Sequence, residues 1–290
     1  MGRVTERTRI RTVRVREGTL YAGRKSDHVA VEEPLDIRLN GQQLSLTMRT
    51  PGHDVELIHG FLHGEGLIAH REDITEARYC DGAVVEDDSG FARNTYNVMD
   101  FTTTRPQLLP LATKNFTTTS ACGVCGSESI DAVRQKSRYT LMQNWSLDPR
   151  VILGAARALS AEQTVFARTG GVHAAALVDL EGNLLVVRED VGRHNAVDKV
   201  IGWALLEDRL PVRDTFLLVS SRASFEITQK AYMAGIPLLA CVSAASSLAV
   251  DTAEEFGMTL VGFTRASEDG DGRMNLYTHP DRLDLRDVAG

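Results

Sequence analysis

The hydrophobic rhythm of the chain changes near its middle. The first third alternates apolar and polar residues with a period of two. "RIRTVRVRE" (residues 9–17) and "LDIRLNGQQLSLTMRT" (35–50) predict strands, and Asn40-Gly41 within the second is a hairpin turn signal. A helical spacing follows, with Val55, Leu57, Ile58, Phe61 and Leu62 on one face and Pro51 and Asp54 suited to its start. "EARYC" (76–80) and "NTYNVMDF" (94–101) predict two more short strands.

The second half keeps a different pattern, with short apolar runs separated by helical stretches. Helices are expected at 148–163, 195–208, 225–235 and 247–257, and strands at 215–221, 237–243 and 259–264. A hairpin around Glu181-Gly182-Asn183 is expected within 172–190. Strands alternating with helices predict an α/β layered domain with partly parallel pairing. Ligands of such sheets bind beyond the carboxyl ends of the strands. The pattern divides the chain into a smaller β-rich α+β domain (1–112), a mobile loop leading into a helix (113–145) and an α/β domain (146–290).

Composition narrows the function. The hydrophobic share of 43% permits a large core, and the net charge of −7 argues against a broad nucleic-acid-binding face. No apolar run of about 18 residues is present to span a membrane. The basic start "MGRVTERTRIRTVRVREG" has no apolar stretch after it, so it does not read as a secretory signal. A cytoplasmic location is expected, where thiols stay reduced. Cys80 and Cys241 stand alone and read as structural thiols.

Cys122 and Cys125 sit in "SACGVCG" (120–126), in a polar stretch rich in Thr, Pro and Asn. The spacing lets the sulfurs approach each other and can lower a thiolate pKa. Structural zinc normally needs four ligands, and only one such pair is present. A thioredoxin-like pair would follow a strand and open a helix, and the preceding "RPQLLPLATKNFTTT" is no such strand. Zinc deaminases use His-x-Glu and then Pro-Cys-x-x-Cys. "HGE" at His63–Glu65 precedes the cysteines in that order, but Ala121 replaces the proline and the intervening segment is long. A sulfur carrier needs an accessible nucleophilic thiolate with a second thiol nearby, which the spacing permits without selecting.

Six stretches together resemble the FdhD family of formate dehydrogenase accessory sulfurtransferases. They are "MRTPGHDVELIHGFLHGEGLI" (48–68), "SACGVCG" (120–126), "TGGVHAAAL" (169–177), "EDVGRHNAVDKVIG" (189–202), "SSRASFEITQKAYMAGIPLLA" (220–240) and "SAASSLAVDTAEEFGMTLVGFTR" (243–265). The resemblance implies a cytidine deaminase-like three-layer α/β/α domain after the smaller β-rich one. It implies a sulfurtransferase that takes sulfane sulfur from a cysteine desulfurase as a persulfide on Cys122, with Cys125 as its partner. The sulfur would pass to molybdenum in bis-molybdopterin guanine dinucleotide, bound as substrate, to activate formate dehydrogenase apo-enzyme. No permanently bound metal is implied, and a homodimer is. The segment Phe263, Thr264, Arg265, Ala266, Ser267 and Glu268 matches the family's cofactor-binding stretch. The alternatives are a non-catalytic cofactor-binding chaperone and a zinc-dependent deaminase-like hydrolase. Against the latter, alanines follow His173 where a deaminase would have His-x-Glu. Ser221 and Ala245 depart from the family's usual glycine and proline.

A multiply phosphorylated ligand needs cationic donors and backbone amides, and arginine forks suit phosphates. Arg193, Arg222 and Arg265 each lie in or beside a loop containing Gly or Ser. Arg193 and His194 are expected as ligand contacts, with a structural turn as the alternative, and Arg222 and Arg265 are expected as ligand contacts. Ser220 and Ser243–Ser247 serve equally as anion donors or helix caps. Lys199 is expected to face solvent, and Glu226 to contact a guanine edge or cap its own helix. Thr169-Gly170-Gly171 reads as a tight turn, since no Gly-Lys-Ser/Thr follows.

Overall fold

The structure, a computed structural model, describes residues 3–80, 84–86, 92–94, 97–103, 133, 137–141, 145–267 and 271–286, with 84–86 and 92–94 described by backbone alone. The Cys122–Cys125 pair and Glu268 lie outside the described residues.

The amino-terminal part builds three sheets. Strands β1 (Thr5–Arg16) and β2 (Thr19–Ala30) pair antiparallel as a two-stranded ribbon. β3 (Glu33–Leu39) and β4 (Gln42–Arg49) form the hairpin expected at Asn40-Gly41, where both residues have positive φ, 49° and 79°. That pair of conformations matches the right-handed twist of the flanking strands. β5 (Ile74–Tyr79) and β8 (Val98–Thr103) complete a four-stranded sheet in the order β4-β3-β8-β5. The short β6 (Val84–Glu86) and β7 (Ala92–Asn94) pair with each other.

Helix α1 (Asp54–Gly64) covers the four-stranded sheet. Leu57, Ile58, Phe61 and Leu62 pack onto Leu35, Ile37, Met99 and Phe101. Asp54 does not cap this helix. It accepts two hydrogen bonds from the buried Arg49 guanidinium, at 3.1 and 3.0 Å, and a third from the Tyr79 hydroxyl at 3.0 Å.

The carboxyl-terminal part holds a six-stranded sheet in the order β10-β9-β11-β12-β13-β14. Its strands are β9 (His173–Asp179), β10 (Leu184–Asp190), β11 (Thr215–Val219), β12 (Leu238–Cys241), β13 (Thr259–Ala266) and β14 (Gly272–Thr278). β11, β12 and β13 are parallel, and the other pairings are antiparallel. Helices cover both faces, which explains why these strands read as continuous apolar runs. On one face, α2 (Pro149–Glu162) places Ile152, Ala155 and Leu159 against Ala174, Ala176, Phe216 and Leu218. On the other, α4 (Arg193–Leu206), α5 (Phe225–Met233) and α6 (Ser247–Glu255) pack Val200, Ile227 and Ala249 against Ala175, Leu177, Leu217 and Leu239. A short α3 (Thr164–Thr169) follows α2.

Helices α1 and α4 cross where two glycines meet. A Cβ on Gly60 would stand 2.6 Å from the Asp198 carbonyl carbon, and one on Gly202 would stand 2.6 Å from the Glu56 carbonyl carbon. Residues lacking a Cβ are what allow the backbones to approach this closely. A partly buried ion pair joins α1 to the neighbouring β10. Arg188 donates to both Glu56 oxygens, at 2.6 and 2.7 Å. Burial opposes the Glu56 charge, but the Arg188 and His53 side chains hold its carboxyl down at about 2.

Lys199 corrects the sequence reading. It is 1% exposed, with Nζ 2.7 Å from Asp190 and donating to the Thr50 carbonyl at 2.9 Å. α4 packs against the six-stranded sheet on one side and against α1 on the other. A helix buried in this way needs its charges paired.

Candidate functional site

The ends of β10, β11, β12 and β13 and the start of β9 share one edge of the six-stranded sheet. A cleft of about 960 Å³ opens there. Its wall includes Ser220, His173, Thr264, Arg265 and Ala266, together with Gln163, Phe166, Gly170 and Gly171 from the α2–α3 side. This is the position at which α/β sheets bind ligands.

β13 is shaped for the cleft by an irregularity. Its register to β14 shifts between Gly262 and Arg265, and Phe263 there adopts φ 52°. A left-handed aromatic residue is costly and persists only when its surroundings hold it. Here the Phe263 amide donates to the Ser243 carbonyl at 2.9 Å. The bulge turns Thr264 inward. It is 1% exposed and lines the cleft, and its Oγ1 has no hydrogen-bond partner among the described residues. A buried hydroxyl left unpaired costs about 1–3 kcal/mol, which a ligand in the cleft would offset. Arg265, exposed at the rim, lies directly opposite Arg273 on β14. Neither has an ion-pair partner among the described residues. Like charges opposite one another across strands are unfavourable unless an anion comes between them.

The other walls are held by hydrogen bonds. The Ser220 hydroxyl accepts from the Ala174 amide at 2.9 Å, so it is committed to the fold. Glu189 accepts from the Val165 and Phe166 amides, at 2.8 and 2.9 Å, and fixes the start of α3. That leaves the Phe166 ring 45% exposed at the cleft. Gly170 closes α3 in the left-handed conformation, φ 65°. The tight turn read from Thr169-Gly170-Gly171 is therefore present, and it also lines the cleft. Phe166 and Gln163 carried no motif that marked them. His173 stood out in the sequence only as a departure from the deaminase pattern.

The remaining predicted contacts are distributed elsewhere. Phe263 is half-buried, and the exposed Ser267 donates to the Asp271 carbonyl at 3.1 Å. Arg222 is exposed on the β11–α5 loop and does not line the cleft. Arg193 opens α4 with its Nε buried and without a partner among the described residues. Its charge, together with burial as the larger effect, depresses the His173 pKa. His194 faces a second cavity, of about 410 Å³, between β4, α1, α4 and α5. Its Nε2 lies 3.4 Å from the Ser224 hydroxyl and 3.7 Å from Glu226. Burial first, and then Arg193 and Lys230, push its pKa down to about 4.

The floor of that cavity is the buried pair Lys230–Asp198, 2.6 Å apart. Burial pushes the Asp198 carboxyl up to about 6 against the pull of Lys230. His63 is buried beside Arg138, Tyr139 and Met233, and burial brings its pKa down to about 4. Among the described residues no three of His, Cys, Asp and Glu come together as a metal site. Of the serines, Ser246 caps α6, accepting from the Ala249 amide. Ser224, at the start of α5, makes no such side-chain cap bond. No helix among the described residues is long and apolar enough to cross a membrane.

Comparison with known proteins agrees with this architecture. A crystal structure from Desulfotalea psychrophila, described as a formate dehydrogenase accessory protein, superposes with a TM-score of 0.70 over 96% of this chain and 99% of that one, at 24% identity. Curated relatives named sulfur carrier protein FdhD match at full length. The Nocardia farcinica protein is 51% identical over 97% of this chain and 96% of its own length. The Streptomyces avermitilis protein is 50% identical over 100% and 99%, and that of Mycobacterium tuberculosis is 52% identical over 89% and 92%. With the FdhD/NarQ family pattern matching residues 30–284, the chain belongs to that family.

Proposed function

We propose that this chain is a sulfur carrier for formate dehydrogenase, loaded on Cys122 and delivering to a molybdenum-bound guanine dinucleotide held in the sheet-edge cleft. The observation that carries the cofactor half of this reading is the Thr264 hydroxyl, unpaired among the described residues, next to Arg265, which faces Arg273 across the strands with no ion-pair partner among the described residues. That donor set suits a phosphorylated ligand, because arginine forks meet phosphate oxygens with parallel hydrogen bonds. The exposed Phe166 ring offers a face on which a base can stack. The sulfur half is supported by the names of the relatives and by the Cys122–Cys125 spacing.

Loading is a thiol exchange. The Cys122 thiolate attacks the outer sulfur of a persulfide on a cysteine desulfurase. The donor S–S bond breaks, a new one forms on Cys122, and the donor cysteine leaves as a thiolate. Cys125 supplies the release. Its thiolate attacks Cys122 Sγ, a disulfide forms, and the terminal sulfur departs as sulfide toward the metal of the bound substrate. A cellular dithiol then restores the pair.

The test is the intact mass of the chain after incubation with a cysteine desulfurase and cysteine. A gain of one sulfur, abolished by Cys122→Ala and retained by Cys125→Ala, is expected. No gain in the wild-type chain, or an equal gain in Cys122→Ala, would refute the carrier role.

A further inference from the structure

The second cavity, of about 410 Å³, has no part in the chemistry assigned to the sheet-edge cleft, and no residue lines both. Its size is that of a small-molecule site. Ile37, Leu57 and Phe61 are buried in its wall, and the half-exposed Met48 adds to that apolar surface. Four carboxylates, of Glu32, Glu65, Asp198 and Glu226, line the cavity against the single ammonium of Lys230, a surplus of three negative charges. His194 does not offset them, because with its pKa near 4 the ring is uncharged at pH 7. Arg193 acts on Glu226 without lining the cavity.

These carboxylates are open to a ligand. Glu32 and Glu65 have no ion-pair partner among the described residues, and Glu226 has only the uncharged His194, at 3.7 Å. Asp198 is 2% exposed. One of its oxygens accepts from Lys230, and the other accepts no hydrogen bond among the described residues. A buried carboxylate oxygen left in that state calls for a donor. Burial opposes the Lys230 charge, yet Asp198, Glu65 and Glu226 hold its pKa above the ordinary value, so the cavity favours positive charge even out of water. Lys230 also stands 5.8 Å from the centre of the Phe61 ring, a face that attracts a cation. A compact metal ion does not suit the site, since no three of His, Cys, Asp and Glu come together among the described residues.

We propose that this cavity binds an aliphatic di- or polyamine, with its methylene chain on Leu57 and Phe61 and its ammonium groups donating to the separated carboxylates. An ammonium is a donor only, which matches acceptors that lack partners. Carboxylates set apart on an apolar wall require cations joined by an apolar chain. The inference is independent of the sulfur-carrier reading, which uses neither this cavity nor its charges.

The experiment is calorimetric titration of the full chain with cadaverine at pH 7. Saturable, stoichiometric binding is expected. Glu65→Gln/Glu226→Gln should weaken it about tenfold. Glu76→Gln/Glu162→Gln, which removes the same charge from exposed positions outside the cavity, should leave it unchanged. 1,3-Diaminopropane, two methylenes shorter, should bind about tenfold more weakly, and magnesium ion of the same charge should not compete. Unchanged far-ultraviolet circular dichroism verifies the fold of both variants. Absence of saturable binding would overturn the proposal. Equal losses in the two variants, or displacement of cadaverine by an equal concentration of magnesium, would overturn it as well, since the amine would then be held by the net charge of the chain and not by this cavity.

Discussion

Gly202→Ala tests whether the α1–α4 crossing positions the two halves of the molecule. The added methyl would stand 2.6 Å from the Glu56 carbonyl carbon and 2.9 Å from the Gly60 nitrogen. Ordinary contact is about 3.5–4.0 Å and the Glu56 carbonyl oxygen stands nearer still, so the helices must separate by at least roughly 1 Å. Both obstructing groups are backbone, so no side chain can swing aside. A gap of that size forfeits about a quarter to a half of each dispersion contact across the seam. Several large side chains pack there, among them Leu57, Phe61 and Leu205. A quarter to a half of about 1.5–3 kcal/mol for each of these three comes to roughly 1–4 kcal/mol. Alanine returns about 1 kcal/mol through helix propensity, leaving a net destabilisation of up to about 3 kcal/mol. Gly154→Ala is the control. It lies inside α2, and a Cβ added there would meet nothing within 4 Å, so only the propensity gain acts. Urea unfolding followed by circular dichroism reads both, with Gly154→Ala expected to move the midpoint up and Gly202→Ala to move it down. Equal upward shifts would refute the close-crossing argument.

Acid should destabilise the fold before most of its carboxylates protonate. His63 and His194 are held near 4, below the ordinary 6.5, so between those values the unfolded chain binds protons that the folded chain refuses. Stability therefore falls as pH drops through this window. Asp198, raised to about 6 from 3.8, acts in the opposite direction over part of it. A net loss of about 2–3 kcal/mol, or on the order of 5–10 °C in melting temperature between pH 7 and pH 4.5, is expected. A flat melting profile across that range would contradict the burial of these histidines, and His194→Gln should flatten it in part. Thr264→Val removes the unpaired hydroxyl at nearly constant shape. It should leave the free protein as stable or about 1 kcal/mol more so, and weaken calorimetric binding of guanosine diphosphate about 3–10-fold. Undiminished nucleotide affinity together with lower stability would mean that the hydroxyl serves the fold and not a ligand.

What the sequence disclosed and what it withheld divide along physical lines. Asn40-Gly41 announced its hairpin because the turn chemistry is local, and both residues do adopt positive φ. The apolar runs of β9, β11 and β12 were legible because burial on both faces removes polar positions from a strand. β2 was not, since "TLYAGRKSDHVA" has no alternation and is a strand only through residue-by-residue pairing with β1. Lys199 misled for a similar reason. A lysine in a helix reads as solvent-facing until α1 is known to cover that helix, and the covering comes from more than a hundred residues upstream. In the cleft, Thr264 and Arg265 belonged to a contiguous segment that local reading can reach. Phe166, Gln163 and Arg273 arrive from other elements and meet it only through the fold. The left-handed Phe263 shows the limit most sharply. No propensity places an aromatic residue at φ 52°, yet that backbone turn is what brings the Thr264 hydroxyl into the cleft without a partner. The strained residue and the unsatisfied one are adjacent in the chain, and each costs the free protein stability that a ligand could restore. Two adjacent departures from local preference at the mouth of one cleft are what the proposed ligand site would account for and what a strand serving the fold alone would avoid.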